Sequence, residues 1–180
     1  MSEDFIEIAL REFKRLKALS DDAVAQVSEA AFFQRDTETD NSIAILYKHM
    51  SGNLRSRWTD FLDTDGEKPW RDRDSEFALG EDDSYGALLK LWDEAWSILF
   101  DALSNLNRED LDRAVVIRGE SLSALQAISR QLTHYAYHVG QVVLLAKRYA
   151  GGSWESLSIP LGQSEAYNQS GKTYLDTESE

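Results

Sequence analysis

Apolar residues recur at helical spacing in four long stretches of this chain, and polar or glycine-containing segments separate them. The first stretch runs from about Asp4 to Leu19, with Phe5, Ile6, Ala9, Leu10, Phe13 and Leu16 on one stripe. The second runs from about Ser42 to Leu62, its stripe carrying Ile43, Leu46, Tyr47, Met50, Leu54, Trp58 and Phe61. "TDNS" precedes it and offers Asp40, Asn41 or Ser42 as the N-cap. The third spans Ser84 to Leu103 behind "EDDS", with Leu88, Leu89, Trp92, Ala95, Trp96, Leu99 and Leu103 on its apolar face. The fourth spans Ser121 to Ala150 through Leu125, Ile128, Leu132, Tyr135, Val139, Val142, Val143 and Ala146, and Gly151-Gly152 stops it. Four amphipathic helices around one core predict an all-α fold, a four-helix bundle.

The connections add detail. "DTDGEKPWRDRDSEFALGEDD", residues 63–83, is charged and reads as a loop longer than compact domains usually carry. Trp70 and Phe77 suggest that it packs. "DRAVVIRG", Asp112 to Gly119, reads as a short strand or an extended connection. In the segment after Gly151, Trp154, Leu157, Ile159 and Leu161 are expected to lie against the bundle, and the final "DTESE" to fray. The expected organisation is one domain over residues 1–162 and a C-terminal tail over 163–180.

Composition narrows the function. A formal net charge of −13 and the lack of a basic stripe argue against nucleic acid as a partner. There is no cysteine, which excludes disulfides, thiolate metal sites and cysteine nucleophiles. The N-terminus lacks a signal peptide's basic start and apolar run, and no stretch is long and apolar enough to span a bilayer. A cytoplasmic protein without a membrane partner is the expectation.

Chemistry concentrates in the three histidines. His134 and His138 are four residues apart in "THYAYHVG", so on a helix both project from one face, one turn apart. His49 sits near the edge of the second helix's apolar stripe. If the second and fourth helices are neighbours, three imidazoles converge. Three neutral nitrogens with an open fourth position suit a divalent metal, zinc first, with nickel or iron also acceptable. The plainer alternative is ordinary core or surface histidines. Gln131, Gln141 and Asn53 are placed to orient a ligand imidazole or a bound group, or else are solvated helix residues. Arg55, Arg57, Arg71 and Arg73 flank the long loop, where they could grip a substrate carboxylate or pair with Asp60, Asp63, Asp65, Asp72, Asp74 and Glu76. Trp58, Trp92 and Trp96 read as core, and Ser121 and Ser123 as helix-start residues.

A histidine in "SIAILYKHMSGNL" followed by HxxxH in "QLTHYAYHVGQVVLL" resembles the DinB-like (YfiT-like) superfamily, over about Phe5 to Tyr149. The stretch "NLRSRWTDFLDTDGEKPWRDRDSEF" is similar to one uncharacterised branch of it, which is expected to share the tail "WESLSIPLGQSEAYN". The resemblance implies an up-down-down-up bundle, a divalent metal held by His49, His134 and His138, and a homodimer. Other branches are thiol transferases that use bacillithiol or mycothiol, and a mycothiol-dependent maleylpyruvate isomerase; the long charged loop here departs from their pattern. The expected function is a metal-dependent enzyme acting on a small molecule by thiol transfer or hydrolysis. The alternative is a non-catalytic metal-binding bundle, structural or sensory, acting as an oligomer.

Overall fold

The structure, a computed structural model, describes residues 4–171, so the expected fraying of "DTESE" lies outside the described residues. It is mostly helical. Four long helices, α1 (Phe5–Val24), α3 (Ile43–Trp58), α4 (Tyr85–Ser104) and α5 (Ala124–Ala150), correspond to the four periodic stretches. Short helices α2 (Glu29–Phe33) and α6 (Ser164–Gln169) escaped the sequence reading, each being too brief to show a period. A two-stranded antiparallel hairpin, β1 (Ala114–Ile117) with β2 (Glu120–Ser123), precedes α5.

Side-chain caps fix the helix starts. Asp4, Ser28, Ser42, Ser84 and Ser123 each accept a hydrogen bond from a backbone N–H in the first turn of the helix that follows. Three boundaries differ from expectation. The first stretch was expected to end near Leu19, but α1 runs on to Val24. The second stretch was expected to reach Leu62, but α3 ends at Trp58, because Thr59 is extended and Asp60 has a φ of 48°. The fourth was expected from Ser121, but Ser121 pairs within the hairpin and Ser123 caps the helix.

The long helices pack as neighbours in the order α1, α5, α3, α4 and back to α1. Their core is aromatic: Phe13 meets Trp58, Trp96 and Tyr135 at ring-centroid distances of 5.7, 6.3 and 5.8 Å, and Tyr47 stacks on Trp92 at 4.1 Å. Ser20 bonds Tyr47 while Phe13 packs on Trp58, so α1 and α3 run in opposite senses. Lys17 with Asp93 and Phe13 with Trp96 set α1 against α4 in the same way. Phe13 on Tyr135, with Gln26 bonded to Glu155 past the helix ends, aligns α1 with α5.

The α3 helix is buried around nearly its whole circumference, including His49, Asn53 and Arg57. One of its faces is covered by the long loop, which is stapled down. Lys48 Nζ donates to the Ala78 carbonyl and to Asp83, both at 2.7 Å, and Arg57 donates to the Gly66 carbonyl. The Gly66 N–H donates to the Val116 carbonyl at 2.7 Å. Of the loop aromatics, Phe77 packs as expected, its ring 4.6 Å from that of His49. Trp70 does not; it is 54% exposed, beneath the Arg55 guanidinium. Trp154 and Leu157 pack against the core, whereas Ile159 and Leu161 are exposed, contrary to expectation, since the chain turns away at Pro160.

Candidate metal centre

The α3 and α5 helices bring the three histidines together. His49 and His138 are buried, His134 is half-buried, and one ring nitrogen from each lies within 4.8 Å of the other two. The Nε2 atoms of His134 and His138 are 3.1 Å apart. Among the described residues this is the one group of histidine, aspartate or glutamate side chains found close enough to hold a metal ion.

Each imidazole is engaged through its other nitrogen. His49 Nδ1 lies 2.8 Å from Glu76 Oε2, His138 Nδ1 lies 2.9 Å from Gln141 Oε1, and His134 Nδ1 lies 3.4 Å from Gln131 Oε1. A carboxylate only accepts, so His49 donates its Nδ1 proton to Glu76. The Gln131 and Gln141 amide oxygens facing the other two Nδ1 atoms suit the tautomer that leaves Nε2 free to ligate. The 3.1 Å contact between the His134 and His138 Nε2 atoms is of hydrogen-bond length, one proton lying between them when no cation does. A tetrahedral zinc ion with bonds of about 2.0–2.1 Å holds its nitrogens roughly 3.4 Å apart, so the donor set fits one.

Titration behaviour agrees. Burial pushes the pKa of His134 down to about 3, and the neighbouring His138 and His49 push the same way. Burial also lowers that of His138, against an opposing hydrogen bond with Gln141. Both favour the neutral form that a metal ligand requires. Glu76 is tuned oppositely: burial raises its pKa, but hydrogen bonds from His49 and Arg71 outweigh this and keep it below the usual carboxylate range.

Glu76 is the residue that sequence reasoning missed in this role. It stands on a 3₁₀ turn, Asp74–Phe77, inside the long loop, and is buried. Arg71 clamps it with two bonds, Nε to Oε1 at 2.8 Å and Nη2 to Oε2 at 2.9 Å. A signal existed in Gly52 of α3: a Cβ there would come within 2.3 Å of Glu76 Oε1, so the carboxylate needs a bare backbone. Asn53 is placed elsewhere than on an imidazole, accepting at 3.1 Å from the Tyr135 hydroxyl, which in turn accepts from Trp58 Nε1 at 3.1 Å.

The imidazoles open onto a cavity of about 590 Å³. Its walls include Asn53, Gln131, Phe77 and Tyr137 beside the three histidines. Of the four loop-flanking arginines, Arg57, Arg71 and Arg73 line it and Arg55 does not.

A family model described as "Protein of unknown function (DUF1572)" matches residues 1–163. The chain belongs to the DUF1572 family. The three histidines, Glu76 and both glutamines all fall inside the matched span of this DUF1572 protein. No curated protein and no solved structure matches it.

Proposed function

We propose that this DUF1572 protein is a metal-dependent enzyme acting on a small molecule, with His49, His134 and His138 as the ligands of one divalent cation. The observation that carries the reading is the convergence of three imidazoles, one ring nitrogen from each within 4.8 Å of the other two and each Nδ1 meeting an oxygen, beside an open cavity. Oxygen acceptors on the far nitrogens are what metal-bound histidines ordinarily have. Zinc suits the all-imidazole set best, and nickel or iron would also be accepted. The cation supplies a lowered pKa to a water or thiol placed in its open position. The chain's own residues hold the ligand rings in register and shield them on the loop side. Thiol transfer and hydrolysis are the two chemistries that such a site supports.

A structural or sensory site would instead be closed by a fourth protein ligand. Glu76 sits on the Nδ1 side of His49 and is occupied by Arg71, and the cavity lies beside the cluster. Both observations favour an open position.

The ring of four long helices, with α1 against α3 and α4 but along α5, supports the DinB-like, up-down-down-up bundle as the parent fold. A single domain over 1–162 accords with a family match that ends at residue 163. A cytoplasmic homodimer belongs to the same reading, with light scattering as the check on the dimer. No helix among the described residues is long and apolar enough to cross a membrane.

The deciding experiment is metal analysis of the protein as purified beside His134→Ala. We expect close to one metal per chain in the parent and little in the variant; equal content would remove the site. Assays pairing low-molecular-weight thiols with an electrophile, before and after chelation, then separate transfer from hydrolysis.

A further inference from the structure

The cavity that faces the imidazoles carries a charge opposite to that of the whole protein. Arg57, Arg71, Arg73, Arg118 and Arg130 line it, and among the described residues no aspartate or glutamate does, in a chain whose net charge is −13. Five guanidinium groups around one space repel one another unless something compensates them. Compensation from behind is incomplete. Glu67 takes Arg118 at 2.8 Å and Arg57 at 3.0 Å, with Arg71 at 3.8 Å, while Glu76 takes Arg71. Arg73 has only the exposed Asp74 at 3.9 Å, and Arg130 has no ion pair among the described residues.

Two details describe how the arginines are held. The Arg71 side chain is 2% exposed, two of its guanidinium nitrogens bond Glu76, and Nη1 is buried 3.8 Å from Glu67 Oε2. Its charge therefore acts on the cavity from behind the wall, little screened by water. Arg118 stands in the two-residue turn of the hairpin with a φ of 57°, next to Gly119 at 77°. That turn favours Asn, Asp or Gly, so an arginine there carries backbone strain. Asp65 holds the turn, accepting from the Arg118 and Gly119 N–H groups at 2.8 and 2.9 Å, and Arg118 lines the cavity.

We infer that the cavity takes a small organic anion, its carboxylate or phosphate group gripped by Arg118 and Arg130, with Arg71 adding charge from behind, while its reactive end lies at the imidazoles. A planar guanidinium matches the two oxygens of either group. A cavity of about 590 Å³ fits a metabolite-sized molecule. Positive walls within an acidic protein concentrate anions at this mouth and repel them elsewhere. The inference deepens the enzyme reading by naming its substrate class. The placing of the reactive end rests on that reading; the anion grip itself needs no metal.

The test is titration calorimetry at low salt with inorganic phosphate, succinate and the uncharged succinamide, on the protein as purified and after chelation. We expect phosphate, succinate or both to bind in both preparations and succinamide to bind in neither. Arg130→Gln and Arg118→Gln should each weaken binding roughly tenfold. Arg148→Gln, on another face, should leave it unchanged. Phosphate binding without succinate assigns a phosphorylated ligand, and the reverse assigns a carboxylate. Anion binding that survives chelation separates the two sites, so a failed metal site and a failed anion site give different results. If neither anion binds, or if the Arg118→Gln/Arg130→Gln double variant binds as well as the parent, the inference is overturned.

Discussion

At the residue scale, the centre depends on how one carboxylate is held. Glu76 receives the Nδ1 proton of His49 and is gripped from behind by Arg71, so the ring cannot rotate without breaking a buried charged network. Glu76→Gln is therefore expected to weaken zinc binding about 10–100-fold, measured by competition with a chromophoric chelator. Gly52→Ala should act in the same direction, since its new methyl would displace the Glu76 carboxylate. Parent-like affinity in both variants would show that Glu76 does not position His49. Nearby, Tyr135→Phe strips a donor from Asn53 and an acceptor from Trp58 in the core. A loss of about 1–3 kcal/mol in urea denaturation is expected, with little change in metal content.

At the scale of elements, α5 carries two of the histidines and its start is set by a capping box. The Ser123 hydroxyl accepts from the Gln126 N–H, and the Gln126 side chain accepts from the Ser123 N–H. Ser123→Ala should cost about 1 kcal/mol by urea denaturation, while the metal site, some three turns on, stays intact. The long helices were legible because their apolar stripes persist over many turns. Their ends were less so: Phe61 continues the spacing of Trp58, and its ring still packs at 4.8 Å, although the chain has left the helix. The hairpin's second strand was concealed because Ser121 and Leu122 run directly into the periodic stretch that follows. Trp70 misled, since an aromatic in a charged loop can rest under an arginine and stay in water.

At the scale of the molecule, a cation that binds only the folded chain must stabilise it. Zinc at a hundredfold excess over its dissociation constant should add about 2.7 kcal/mol, seen as a rise in Tm that His134→Ala abolishes. The metal-free protein should show a defined pH response. His134 and His138 titrate below their ordinary value when folded, so at high pH neither state carries the proton. As pH falls below about 6.5, the unfolded chain takes up protons that the folded chain refuses, and stability drops. The urea midpoint after chelation should therefore fall from pH 6.5 toward 4.5, and fall less steeply in His134→Gln. An equal slope in the two would show that burial of the histidines does not govern this window.

What the sequence determined by itself is whatever repeats locally: four long helices, the projection of His134 and His138 from one face, and the glutamines a single turn away. A helix fixes those relations through its own backbone, without reference to the rest of the chain. Tertiary structure alone decided that Glu76 would reach His49 from a loop, and that Arg118 and Arg130 would share one cavity with Arg71. Those contacts join segments whose relative path is set by packing and by buried charge, and no local period encodes either.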